Sequence, residues 1–443
     1  MTKRMFLSAA ITLVMLFAMA GFAPAHAEEP IAHEQEATIP AGTVITHQNW
    51  RQYKDFMPYG MQVLWSGKYF WKLPPGARIM VGPFHSYPLP EIYLKNTEKY
   101  AHLVKIVNLP DGGHSISGYV AGIPFPTPSG PLKGWELLVD DWYAYIPHIA
   151  CGNHNTFYIR DRFGNTSSET VREVYRHFNH VSDPGAPIMD PKMPGIYETQ
   201  FAEVLQPEQA RYTAILSLYY IEPTQPEDQF LFVPALRRTL RLSLAARCSP
   251  FVGTDATQDD VNLGDFNGQF TMFGADYLGE KKVLSIVTAK PGVFGKLSNW
   301  YYPAFFPKPE IGQWELRDSD IIDVRRIPSL RKGYCYGRRV IYIDKQALSG
   351  NWSDLYDQNM KFWKVLWGAF QVSEVPQVGM QLQGGAFWGD IIDFQNNHES
   401  LNMGSDPQGR AFTSNQNCRN VDGINLTDIG KFSSVDGLSE IMR

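Results

Sequence analysis

Four stretches of this 443-residue chain carry side chains capable of chemistry. "DGGHSISG" (111–118) sets His114 and Ser115 among glycines. A serine nucleophile on a strand-to-helix elbow needs Gly-x-Ser-x-Gly. Here Gly113-His114-Ser115 is followed by Ile116-Ser117-Gly118, one residue too many, so a hairpin turn is expected. "HIACGNH" spaces His148, Cys151 and His154 as zinc ligands can be spaced. A cysteine oxidised to a disulfide cannot serve, and no metal is assigned. "HFNH" adds His177 and His180 without an evident third ligand. "GTDATQDD" (253–260) brings Asp255, Asp259 and Asp260 together. Paired carboxylates do acid–base work or hold calcium, but this spacing lacks the oxygen set of a calcium loop. The preceding "PALRRTLRLSL" offers Arg237, Arg238 and Arg241. A structural charge network between these arginines and aspartates is the expected arrangement. No catalytic residue and no cofactor is assigned.

Aromatic clusters are the stronger signal. "VLWSGKYFWKLP" (63–74), "DWYAYIP" (141–147), "NWYYPAFFP" (299–307) and "KFWKVLW" (361–367) recur along the chain. Aromatics make up 13 % of the sequence, more than a core alone requires, so some are expected to line an apolar groove. "SGYVAGIPFPTPSGPLKGW" (117–135) is apolar but rich in proline, so it suits neither a helix interior nor a central strand. It reads as a stiff, polyproline-like rim or lid. The ligand-binding residues proposed from these stretches are Trp65, Phe70, Trp71, Ile123, Phe125, Trp142 and Trp363.

The elements that must position them are mostly strands. "TLRLSL" alternates Leu240 and Leu242 against Thr239 and Arg241, the period-two pattern of a sheet with one apolar face. "DIIDVRRI" (320–327), "RRVIYID" (338–344) and 212–221 are further strands. Residues 156–162 run into Phe163-Gly164-Asn165, a hairpin signal. Residues 99–107 and 135–146 also read as strands, and 359–370 as a strand after a turn at 357–359. Residues 169–178 carry helical spacing through Val171, Val174, Tyr175 and Phe178. With no linker, charge run or repeat, one large, mainly antiparallel β domain (α+β) with a few helices is expected over 28–443. Residues 28–55 read as a loose lead-in.

The first residues bear on the compartment. Lys3 and Arg4 precede an apolar run, and Ala25-His26-Ala27 fits a small-residue cleavage site. A cleaved signal peptide over 1–27 and a periplasmic location are expected. Removing two cations takes the net charge from −5 to −7 (−5 − 2), which disfavours nucleic acid and anionic membranes as partners. An integral membrane protein is not expected. Four cysteines, Cys151, Cys248, Cys335 and Cys418, suggest two disulfides. Of three pairings, Cys151–Cys248 with Cys335–Cys418 is favoured because it joins sequence neighbours.

Taken in order, "YVAGIPFPTPSG", "GWELLVDDWYAY", "FLFVPALRRTLRLS", "GTDATQDD" and "WELRDSDIIDV" resemble an exported bacterial family, domain of unknown function 1329, often labelled outer-membrane lipoprotein-sorting-like. The resemblance spans roughly residue 60 onward. It implies the LolA/LolB-like fold of the periplasmic lipoprotein carriers: a curved, unclosed β-barrel whose concave side is plugged by helices around an apolar cavity. It implies no enzymatic residues. It points to a non-enzymatic shuttle for a lipid-like ligand, with an exporter of the resistance–nodulation–division (RND) type or an outer-membrane protein as partner. An accessory docking subunit, or an enzyme acting on hydrophobic substrates, are the alternatives.

Overall fold

A computed structural model describes residues 38–243, 247–260, 266–288, 297–303, 305–383, 389–403 and 412–442. The signal-peptide segment and residues 28–37 of the lead-in lie outside them. Twenty strands form, in chain order β1 (Val44–Thr46), β2 (Arg78–Met80), β3 (Lys105–Asn108), β4 (His114–Ser117), β5 (Ile149–Arg160), β6 (Thr166–His177), β7 (Ile196–Gln206), β8 (Ala214–Tyr220), β9 (Asp228–Val233) and β10 (Arg238–Arg241). They continue as β11 (Phe273–Thr288), β12 (Gln313–Arg326), β13 (Tyr336–Asp344), β14 (Ser349–Asp357), β15 (Phe362–Gly368), β16 (Phe370–Val375), β17 (Gly379–Gln383), β18 (Gly389–Asp393), β19 (His398–Asn402) and β20 (Thr413–Ser414). The helices are α1 (Tyr59–Ser66), α2 (Glu91–Tyr100), α3 (Lys133–Trp142), α4 (Ile429–Phe432) and α5 (Val435–Ser439). No described helix is long and apolar enough to cross a membrane.

Sixteen strands build one curved sheet in the order β10-β9-β8-β7-β6-β5-β19-β18-β15-β14-β13-β12-β11-β16-β17, with β20 added on β5. Its end strands do not pair with each other, so the sheet stays unclosed. Its pairings are antiparallel except for the short parallel contact of β11 with β16. This is the mainly antiparallel, unclosed fold expected from the sequence.

The reason "VIYI" is apolar without a break is now visible. Val340 and Tyr342 point to one face of the sheet, and Ile341 and Ile343 to the other, so both faces are buried. On the first face, Met61, Leu64 and Trp65 of α1 pack over Trp314, Trp352 and Trp367. Ile39, Ile45 and Trp50 join that cluster, so residues 38–55 are fixed by their apolar side chains instead of forming a loose lead-in. On the second face, Trp135, Leu138, Val139 and Trp142 of α3 cover Ile322, Ile341 and Leu355. A third cluster lies under the C-terminal α4 and α5, where Phe432 and Leu438 meet Phe201 and Leu216.

Three segments differ from their sequence pattern. Residues 135–146 were expected as a strand, but α3 forms because Trp135, Leu138, Val139 and Trp142 recur at helical intervals and meet one face of the sheet. Residues 169–178 were expected as a helix, yet they are β6. The turn at 161–165 folds them back on β5, with Arg160 opposite Thr166. Only Lys105–Asn108 of the strand expected at 99–107 is extended.

Candidate functional site

The seven proposed ligand residues do not converge. Trp65 and Trp142 are buried in the cores of opposite faces. Trp363 is half-buried, and its indole N–H donates to Asp393 at 2.9 Å. The proline ribbon is tied down: the Ile123 N–H donates to Thr97 Oγ1 and the Phe125 N–H to Asp140 Oδ1, each at 2.8 Å. Phe125 leans on Trp135 of α3, with ring centroids 6.2 Å apart. The ribbon is therefore a strap linking α2 and α3. Phe70 is 55 % exposed and packs edge-on to Trp71, with centroids 4.8 Å apart. Of the seven, only Trp71 lines the largest cavity among the described residues.

That cavity is a cleft of about 970 Å³. Its walls come from three places. Tyr158 and Arg160 stand near the end of β5, and Thr166 begins β6. Trp71 and Pro74 lie on the strand-like lead from α1, fixed where Tyr69 Oη donates to Glu399 at 2.9 Å. Tyr301, Tyr302, Pro303 and Phe305 come from the loop after β11, closed by pairing of Tyr301 with Pro307. Phe305 adopts φ 45°, which turns its ring beneath the Arg160 guanidinium at 4.1 Å, a cation–π contact. Gly164 sits at the hairpin tip with φ 88°, and a Cβ there would come within 3.3 Å of the Trp71 ring. The turn and the close approach both require glycine.

Behind Arg160, buried and outside the cleft lining, lies a pair of acids. Arg160 Nη1 is 2.7 Å from Glu399 Oε1, directly across the β5–β19 ladder. Burial pushes the Glu399 carboxyl up to about 8, outweighing the pull of Arg160. Asp390, on neighbouring β18, is held well above the usual carboxylate range, first by burial and then by Glu399. The Trp367 side chain and Arg160 offset this only in part. The acid pair thus sits behind Arg160, while the cleft itself offers aromatic walls and two cations, Arg160 and Lys308, which suit an amphipathic guest whose chain lies against the rings.

The aspartates of 253–260 do form a charge network, but with other arginines. Asp259 Oδ1 is 2.9 Å from Arg247 Nε, and Tyr334 Oη donates to Asp259 Oδ2 at 2.7 Å. Asp260 pairs with Arg339 and accepts from Tyr336 Oη at 2.7 Å. Asp255 accepts from Ser400 Oγ at 2.6 Å. The expected partners are corrected: Arg237 and Arg238 are exposed, and Arg241 pairs with Asp228. The reason is topological. β10 is an end strand of the sheet, so its arginines face water, while Arg247 and Arg339 reach the buried loop.

The disulfides are Cys151–Cys418 and Cys248–Cys335, correcting the pairing of sequence neighbours. β20 returns to β5 and carries Cys418 with it, and the chain after β10 crosses to the start of β13. His148 is held by Asp183 at 2.9 Å and His180 by the Val120 carbonyl at 2.8 Å. Among the described residues, no cluster of His, Cys, Asp or Glu is arranged to hold a metal. His114 and Ser115 lie on β4 of a small hairpin, away from the cleft. Sequence reasoning missed Tyr158, Arg160, Asp390 and Glu399. "VLWSGKYFWKLP", through Trp71 and Pro74, and "NWYYPAFFP" were the aromatic signals that reached the cleft.

Comparison with known proteins gives a family and a set of structures. A family model described as "Protein of unknown function (DUF1329)" matches residues 44–427. A domain from Vibrio parahaemolyticus named for outer-membrane lipoprotein sorting is 14 % identical, covering 65 % of this chain and 96 % of its own, with a TM-score of 0.43. A DUF1329 family protein from Desulfovibrio piger is 14 % identical over 64 % of this chain and 92 % of its own, TM-score 0.44. A LolA superfamily protein from Nitrosomonas europaea is 9 % identical over 65 % and 93 %, TM-score 0.37. No curated protein matches.

Proposed function

The chain belongs to the DUF1329 family, and from that premise we propose that it is an exported, non-enzymatic carrier that holds a lipid-like ligand in the cleft beneath Trp71. The observation that carries this reading is the cleft itself, about 970 Å³ with walls of Trp71, Tyr158, Tyr302 and Phe305. That volume is in the range of small-molecule sites, ~300–1,000 Å³. An acyl chain laid against such walls contributes about 0.8 kcal/mol per buried methylene. The sheet interior, by contrast, is filled with Trp65, Trp314, Trp352 and Trp367, so in this reading cargo sits at the side of the sheet and not within it. The leader pattern at 1–27 and two disulfides fit export to an oxidising compartment. The partner to test is an RND-type exporter, by co-purification from membranes.

The experiment is a titration of delipidated protein with saturated fatty acids of increasing length, read by thermal unfolding. The unfolding temperature is expected to rise with chain length, and Trp71→Ala to blunt that rise. Trp65→Ala lowers the unfolding temperature of the free protein, because Trp65 is core, but leaves the dependence on chain length intact. No shift at any chain length overturns the proposal.

A further inference from the structure

A second cavity lies away from the cleft, where β6 ends against the C-terminal segment. It measures about 330 Å³ and, unlike the cleft, its surface is predominantly polar. Three pieces of chain meet there: the end of β6 with Arg176 and His177, the loop 184–187, and the short helical turn Asn415–Arg419. Cys418 ties that last turn to β5 through its disulfide with Cys151, so the wall bearing Arg419 is fixed before any ligand arrives.

Arg176 is a half-buried arginine, and its place in this cavity sets it apart from Arg326, the other half-buried arginine with an unpartnered Nε. Its Nη1 donates to the Thr427 carbonyl at 2.7 Å, and its guanidinium lies 5.0 Å from the Phe178 ring. Its Nε is buried with no hydrogen-bond partner. Among the described residues, no carboxylate forms an ion pair with it; Asp190 acts on it only at longer range. Other buried arginines of this protein are matched: Arg247 by Glu227 and Asp259, Arg317 by Asp344, Arg339 by Asp260. A desolvated guanidinium without a counter-charge is costly unless a ligand supplies one. Counted over the lining residues alone, two arginines face one carboxylate, while Asp183 and Glu198 stand behind the histidines. Arg419 adds a second cation, Asp190 supplies one anion, and the two histidines are engaged, His148 with Asp183 at 2.9 Å and His177 with Glu198 at 3.4 Å.

We propose that this cavity is a binding site for a small oxyanion, a carboxylate or phosphoryl group, held between Arg176 and Arg419. The arginine fork presents paired donors that match the oxygens of either group. The site stands independently of the carrier reading, since it shares no lining residue with the cleft.

The test is calorimetric titration of the full-length mature protein with inorganic phosphate, glycerol 1-phosphate and succinate, each in chloride buffer. Saturable binding of at least one anion below millimolar dissociation constant is expected. Arg176→Gln and Arg419→Gln should each weaken it tenfold or more while leaving the fatty-acid response unchanged. Preference for glycerol 1-phosphate over inorganic phosphate identifies a lipid-headgroup source, and the reverse a free ion. If Arg176→Gln does not fold, Arg419→Gln decides, because that side chain is exposed. Absence of saturable binding to all three anions, or binding that Arg419→Gln leaves intact, overturns the proposal.

Discussion

Glu399 offers the sharpest test of the buried acid pair behind Arg160. Its carboxyl is buried, with Arg160 at 2.7 Å and the Tyr69 hydroxyl at 2.9 Å, and burial moves it from an ordinary 4.5 to about 8. Folding at any pH between those values therefore takes up a proton. The stability tied to this group is fully present below about 4.5 and is lost as pH rises through about 8. Across the window stability falls with each pH unit, so going from pH 5 to 7 removes about 3 kcal/mol through Glu399 alone. Glu399→Gln does not titrate and keeps one acceptor oxygen, for Arg160 or Tyr69, its amide nitrogen replacing the oxygen that served the other. The stability of the variant relative to wild type should therefore rise by about 2–3 kcal/mol between pH 5 and 7 and level off above pH 8. Urea unfolding followed by tryptophan fluorescence at four pH values measures this, and the difference between the two proteins cancels the other titrating groups. A relative stability that is flat with pH, or that falls, would mean that Glu399 is ionised and paired with Arg160 in the folded state. The description of the acid pair behind Arg160 would then be wrong.

Three further outcomes follow from the packing. Asp259→Ala strips a partner from buried Arg247 and should cost about 3–5 kcal/mol in unfolding free energy, whereas Arg238→Ala on the exposed end strand should stay within about 0.5 kcal/mol. Replacing both Cys151 and Cys418 with serine opens a link across 267 residues, and chemical denaturation should show a loss of about 5 kcal/mol on the chain-entropy account. Gly134→Ala places a Cβ 2.5 Å from the Ala275 carbonyl oxygen and 2.6 Å from the Tyr277 nitrogen, backbone atoms that cannot swing aside. Thermal unfolding should drop by the equivalent of more than ~2 kcal/mol, although alanine favours helix over glycine by about 1 kcal/mol.

Local pattern carried much of the architecture. The alternation in "TLRL" produced β10, the two-sided "VIYI" produced a strand buried on both faces, and Phe163-Gly164-Asn165 marked the β5–β6 turn. Side-chain period and turn chemistry act over a few residues, so the sequence displays them directly. Where two periods overlapped, the pattern misled. Val171, Val174 and Tyr175 fit a helix on paper, but pairing with β5 decided for a strand. Trp135, Leu138, Val139 and Trp142 fit a strand-rich neighbourhood, but covering one face of the sheet decided for a helix.

The sequence by itself determined that the chain is mainly antiparallel β, that Asp259 and Asp260 belong to a charge network, and that four cysteines form two bridges. Only the tertiary structure decided which arginines answer those aspartates, which cysteines meet, and that Trp71, Arg160 and Phe305 surround one cleft with Glu399 paired to Arg160 behind it. Those partners lie as many as 267 residues apart, and strand order in the sheet, not distance along the chain, brings them together. Charge, burial and covalent pairing act between neighbours in space, and a neighbour in space leaves no mark on the residues beside it in sequence.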